Sequence, residues 1–116
     1  MLNRGRIVGD VDLGDGADTF VFAKGGAVYG TVILGGGDDI ARIENGAGKT
    51  VIADFAAGAA SGDVIDISEF FSSFGAVQSH SRQRGSDVVI TLDHNDTLIL
   101  EDVQFSVLNA GDFLLV

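Results

Sequence analysis

The chain has no cysteine and no proline. Without cysteine there is no disulfide framework and no zinc–thiolate site. That absence does not fix the compartment, because a protein exported unfolded gains from having no thiols to cross-link. Without proline the chain is neither a Pro-rich linker nor a collagen. Basic residues are scarce: seven Lys and Arg stand against 17 Asp and Glu, a formal net charge of −10 at pH 7. Nucleic acid and anionic membrane surfaces want basic patches, so this balance argues against both. No stretch approaches the ~20 apolar residues that a membrane-spanning helix needs. Residues 1–30 hold no apolar run of signal-peptide length, so no Sec signal is expected.

What is present is glycine, 17 of 116 residues, about twice the usual ~7%. At this length one domain is expected, with enough chain for a core of its own. The glycines fall in a repeat. Leu13-Gly14-Asp15-Gly16-Ala17-Asp18-Thr19-Phe20 returns 21 residues later as Leu34-Gly35-Gly36-Gly37-Asp38-Asp39-Ile40-Ala41. The same spacing pairs Gly9 with Gly30, Val11 with Val32 and Gly25 with Gly46. The identities all lie at Gly, Asp or apolar places, and a fixed period is the mark of a repeat architecture. A third, worn copy sets Asp54-Phe55 on Asp12-Leu13 and Gly58 on Gly16, with Ala60 in place of the Asp.

Each unit is too short for a βαβ element and too rich in glycine for paired helices. Val11–Leu13, Thr19–Phe22, Val32–Leu34, Ile40–Ile43 and Thr50–Ile52 read as strands of three or four residues. Two strands and two turns per unit make one coil of a parallel β-roll or β-helix. The turns after Leu13 and Leu34 are then stacked on one edge, and those at Gly25-Gly26 and Gly46-Ala47-Gly48 on the other. From about Ser61 the character changes. Asp63–Ile67 reads as a strand. Ser68 reads as the N-cap of a helical turn, Glu69–Phe74, stopped by Gly75. Ala76–Ser81 reads as a strand and Ser81–Ser86 as a polar loop. Asp87–Leu92 and Thr97–Leu100, around Asp93-His94-Asn95-Asp96, form an antiparallel hairpin signature. Ser106 caps one more turn before Gly111. The fold class expected is all-β: a short parallel β-roll or β-helix over residues 1–60, continuous with a C-terminal cap of a hairpin and short helical turns over 61–116. Such a cap covers open strand edges.

Leu13–Val21 and Leu34–Arg42 fit the nonapeptide G-G-x-G-x-D-x-U-x at every fixed place but the first Gly, with Ala41 weak at the large apolar place. This pattern resembles the RTX, or hemolysin-type, calcium-binding repeat. Val51–Phe55 through Asp63–Ser68 resembles the stretch found after the last repeats of that family. Gly85–Ile90 through Asp96–Leu100 resembles the C-terminal target region of proteins exported by type I secretion, and Asp112–Val116 the acidic-then-apolar end of such signals. Serralysin-type metalloproteases and the R-modules of mannuronan C5-epimerases share this layout. The resemblance covers nearly the whole chain. It departs in two ways: the family's coil is shorter than the 21 residues found here, and the Gly25 and Gly46 turns carry no Asp in register.

The resemblance implies Ca²⁺ between stacked turns, with carboxylates from Asp18 and Asp39. Backbone oxygens would come from Leu13, Asp15 and Ala17 below, and from Leu34, Gly36 and Asp38 above. Ca²⁺ takes six to eight oxygens, whereas Mg²⁺ wants a strict octahedron and keeps its waters. With no Asp on the opposite edge, one full site is expected. Asp12, Asp54, Asp63 and Asp66 are either end ligands or solvated and capping acids. His80 and His94 have no third ligand spaced for zinc, and no Ser sits in Gly-x-Ser-x-Gly, so no catalytic residue is expected in the chain. Phe70, Phe71 and Phe74 read as core. Arg82-Gln83-Arg84 is a basic tip, either a solvated loop or a weak site for an acidic polysaccharide. The resemblance further implies a secreted, extracellular bacterial module that folds on Ca²⁺ and whose partner is the type I secretion apparatus. Two other readings stay open: an ancillary polysaccharide-binding module of a larger extracellular enzyme, and a metal-free structural or adhesive repeat.

Overall fold

Short apolar runs that alternate in and out set the architecture, because every second residue of a strand faces one side of its sheet. A computed structural model describes residues 2–3, 6–23, 27–46, 48–55, 63–93 and 96–115. In chain order the strands are β1 (Leu2–Asn3), β2 (Arg6–Val8), β3 (Val11–Asp12), β4 (Thr19–Phe22), β5 (Ala27–Tyr29), β6 (Val32–Ile33), β7 (Ile40–Ile43), β8 (Lys49–Ile52) and β9 (Val64–Asp66). Helix α1 (Phe74–Ser79) follows, then β10 (Ser81–Arg84), β11 (Asp87–Thr91) and β12 (Thr97–Leu100). Two 3₁₀ turns, Phe105–Val107 and Ala110–Asp112, lead into β13 (Phe113–Leu114).

The chain is β-rich, with parallel strands in both of its larger sheets. A five-stranded sheet of order β1-β4-β7-β9-β13 is parallel throughout. A six-stranded mixed sheet has the order β10-β11-β12-β8-β6-β3, and β2 pairs with β5 alone. Phe20 stands beside Ala41, Val11 beside Val32 and Ile7 beside Val28. Each pair is 21 positions apart, the period of the sequence repeat. The register loosens in the next layer, where Ala41 meets Ile65 and Val32 meets Ile52. Three strand pieces per repeat are present rather than two, because Ala27–Tyr29 also pairs in parallel, on Arg6–Val8.

Inward side chains line up across the sheets in columns. Phe20, Ala41, Ile65 and Phe113 make one, and Val32, Ile52, Leu100 and Val88 another; all are buried. Burying each of the larger side chains contributes roughly 1.5–3 kcal/mol. The second half extends the sheets of the first: β12 lies parallel on β8, and β13 parallel on β9. The expected hairpin is present as β11 and β12.

Four local expectations are corrected. Ser106 lies inside the 3₁₀ turn Phe105–Val107, whose N-cap position is Gln104, and Asn109 caps the turn that holds Gly111. The helix is Phe74–Ser79, not Glu69–Phe74, and its N-cap is Ser73, whose hydroxyl accepts from the Ala76 amide at 3.2 Å. Ser68 instead donates its hydroxyl to Asp66 at 2.7 Å, inside a turn closed by the Phe70 and Phe71 amides on the Ile67 carbonyl. Gly75 sits within the helix, and Ala76–Ser79, read as strand, is helical. The polar loop at Ser81–Ser86 is strand β10 and a tight turn in which Gly85 has φ 63°. Phe71 is buried, and Phe70 and Phe74 pack against the core. The Gly25-Gly26 turn, Gly58 and Ala60 of the third copy, and His94 lie outside the described residues.

Candidate metal centre

The two repeated turns follow β3 and β6. Gly14, Gly16, Gly35 and Gly37 have φ of 79°, 100°, 84° and 89°, a region that side-chain-bearing residues seldom enter. The second turn also lies directly on the first. A Cβ on Gly35 would fall on the Gly14 carbonyl, and one on Gly37 would come 2.6 Å from the Gly16 oxygen. Strand bonds clamp the stack on both sides. Leu13 donates its amide to the Ile33 carbonyl at 3.0 Å, and Ile40 to the Asp18 carbonyl at 2.8 Å.

The acids join successive layers through carboxylate–amide bonds. Asp39 Oδ1 accepts the Asp18 amide at 2.9 Å, and Asp63 Oδ1 accepts the Asp39 amide at 3.0 Å. Asp54 takes the amides of Leu34 at 2.7 Å and Gly35 at 2.9 Å, one on each oxygen. Asp12 accepts from Gly14 within its own turn at 2.9 Å. These bonds to ionised acceptors are stronger than neutral ones.

One feature of this ladder is unsatisfied. Oδ2 of Asp18 and Oδ2 of Asp39 are both buried and, among the described residues, have no hydrogen-bond partner. Asp39 is wholly buried. Burial raises its carboxyl above the ordinary 3.8; the Asp18 amide opposes this, and the charges of Asp63, Asp18 and Asp54 add to it. A buried carboxylate oxygen without a partner is costly. A proton or a cation removes the cost.

The residue types present fit a hard cation. Among the described residues no group of three or more His, Cys, Asp or Glu is arranged to hold a metal, so two carboxylates need backbone oxygens beside them. Leu13, Asp15, Ala17, Leu34, Gly36 and Asp38 lie in or beside the stacked turns. Among the described residues, none of their carbonyls accepts the backbone bonds that fasten those turns. Asp15, Ala17, Gly36 and Asp38 are exposed, whereas Leu34 is buried.

Other acids belong elsewhere. Asp66 Oδ1 holds the amide and hydroxyl of Ser68, and Asp66 Oδ2 stands 3.6 Å from Arg42, which also meets Glu69 at 3.2 Å and Glu44 at 3.7 Å. His80 caps α1, with Nδ1 2.8 Å from the Ala76 carbonyl and its ring 5.0 Å from that of Phe71. Arg82 and Arg84 are exposed on β10. Sequence reasoning missed Asp96. It is buried, and its two oxygens accept the amides of Gly48 at 2.7 Å and Gly46 at 3.0 Å. The turn without an Asp in register therefore receives one from the hairpin, 48–50 positions along the chain. Compared with models of known protein families and with curated proteins, the chain matches none.

Proposed function

We propose that the chain is a calcium-binding module of the RTX type. On this reading its first half is a short parallel β-roll or β-helix of about 21-residue coils, and its second half is a cap that carries a C-terminal address for the type I secretion apparatus. The observation that carries the metal reading is the pair of buried, unpartnered oxygens on Asp18 and Asp39, 21 positions apart on stacked turns. A Ca²⁺ ion there would take both carboxylates and complete its shell with carbonyls of the two turns. Asp12, Asp54 and Asp63 would support it from the ladder. Extracellular modules hold Ca²⁺ at ~10⁻⁴–10⁻³ M. A site of that strength is empty at cytosolic Ca²⁺ and filled outside, which couples folding to export. The module itself carries no catalysis; any reaction belongs to a partner domain.

The test is thermal unfolding followed by far-UV circular dichroism in about 10 mM Ca²⁺, in Mg²⁺ and in chelator. Occupancy at ten to a hundred times Kd stabilises the fold by about 1.4–2.7 kcal/mol. The expected result is a clear rise with Ca²⁺, little with Mg²⁺, and loss of the rise in the Asp18→Ala/Asp39→Ala double variant. Equal stability in chelator and in Ca²⁺ would refute the metal reading. It would favour a metal-free structural repeat, for which the carboxylate–amide ladder is the support: Asp54, Asp63 and Asp96 accept backbone amides of neighbouring layers directly. The exposed Arg82 and Arg84 support a further reading as an ancillary module for an acidic polysaccharide, tested by titration with oligouronates.

A further inference from the structure

The two ends of the stack are complementary to each other. Strands β3 and β10 are the two edges of the six-stranded sheet. Strand β10 is antiparallel to β11 and β11 to β12, while β12, β8, β6 and β3 are mutually parallel. Two reversals restore direction, so β10 runs the same way as β3. Strands β1 and β13 are the edges of the five-stranded sheet and also run the same way. A second copy displaced along the stack therefore sets its β3 beside β10 in parallel; the five-stranded sheet is one strand shorter, so the same displacement brings β1 toward β13 without pairing them. Edge strands carry backbone donors and acceptors ready for such pairing.

Charge and shape agree with direction. Asp10, Asp12 and Asp15 are exposed at the β3 end, and Arg82 and Arg84 at the β10 end. Leu114 on β13 is 48% exposed. On the second coil, the space a Cβ of Gly30, Gly35 or Gly37 would need is filled by the coil before it; on the first coil, no described residue fills the same space at Gly9, Gly14 and Gly16. The first coil thus presents outward the same kind of face that the second lays on the first. A two-fold contact of β3 with β3 would instead be antiparallel and would oppose acid to acid.

The geometry points to head-to-tail self-association, in which the Arg82–Arg84 edge of one copy takes the acidic first coil of the next. This contact is heterologous and does not close on itself, so it grows into filaments rather than stopping at a dimer. The calcium reading is not needed for it. Sedimentation velocity from about 10 µM to about 1 mM, in about 0.15 M salt, tests it, with Ca²⁺ and with chelator. The expected result is a weight-average sedimentation coefficient that rises with concentration past the dimer value, and an Arg82→Glu/Arg84→Glu variant that stays at the monomer value with an unchanged circular dichroism spectrum. Polarity is read by cross-linking, since the chain has no native cysteine. Asp10→Cys and Arg82→Cys variants, each showing the parent spectrum, should form disulfide-linked pairs when mixed and not alone. A native chain that sediments as a monomer throughout overturns the inference, as does preferential linking of Asp10→Cys to itself. A monomer whose Arg82–Arg84 edge takes up polyglutamate instead overturns it too.

Discussion

Asp39 holds two opposed demands in one side chain. Its Oδ1 is satisfied by the Asp18 amide, while its Oδ2 is buried without a partner. Replacing it with Asn keeps an acceptor and removes the charge. In chelator, Asp39→Asn is expected to be as stable as the parent or more so; in Ca²⁺ the order reverses. Denaturant melts under both conditions read the crossing. The pH dependence follows from the raised carboxyl. Because the folded chain binds this proton more tightly than the unfolded chain, acidification from neutral through the folded pKa toward 3.8 stabilises the metal-free fold, and the gain is lost as pH rises again. In Ca²⁺ the same acidification weakens binding, since the ion needs the ionised form. Melting temperature against pH, with and without the ion, shows the two slopes, and Asp39→Asn flattens the Asp39 contribution to each. Asp96 is the other residue whose role is sharp. Its loss in Asp96→Ala leaves the Gly46 and Gly48 amides without their acceptor, at an expected cost of about 2–3 kcal/mol, measured by urea denaturation.

The repeated turn is the element on which stacking depends. Gly14 and Gly35 have nearly the same backbone, φ 79° and 84°, but only Gly35 has the preceding coil against it. Gly14→Ala is therefore expected to cost about 1–2 kcal/mol, for the left-handed backbone alone. Gly35→Ala should cost about 3 kcal/mol or more, because the methyl group also displaces a carbonyl. Equal costs in equilibrium unfolding would mean that the turns do not stack. The turn and its period were legible in the sequence, since glycine at positive φ and a fixed spacing leave few alternatives. Strand β10 was not. Its residues Ser81-Arg82-Gln83-Arg84 have no apolar alternation, because an edge strand can keep most of its side chains in water. Gln83 anchors it instead, with its amide nitrogen 2.9 Å from the Asp87 carbonyl and its oxygen accepting from Phe105 at 2.7 Å. Helix α1 was misplaced for a related reason. Ser68 reads as the cap from sequence alone, but its hydroxyl is given to Asp66, and Ser73 caps the helix instead.

At the scale of the molecule, both halves share their sheets. The first half has parallel strands that its own third copy covers only in part, and β12 and β13 complete the two sheets by lying on β8 and β9. The acids follow the same plan. Asp54 and Asp63 tie the third layer to the second, and Asp96 ties the hairpin to the Gly46 turn. A net charge of −10 strains such a stack by self-repulsion. A cation held only by the folded form offsets it. Truncation before Asp87 removes β11, β12, β13 and Asp96 together. Its expected outcome is a chain without cooperative thermal unfolding even in Ca²⁺, read by circular dichroism.

By itself the sequence determined the period, the turn glycines, the inward apolar places and the candidate pair Asp18 and Asp39. These are local properties: backbone φ, alternation and spacing constrain them residue by residue. Tertiary structure alone decided which acid meets which amide, because Asp96 and Gly48, or Asp63 and Asp39, become neighbours only when layers stack. It also decided that the second oxygens of Asp18 and Asp39 are buried without partners. Burial is a property of the packed whole, and the need for a proton or a cation at that place arises from it.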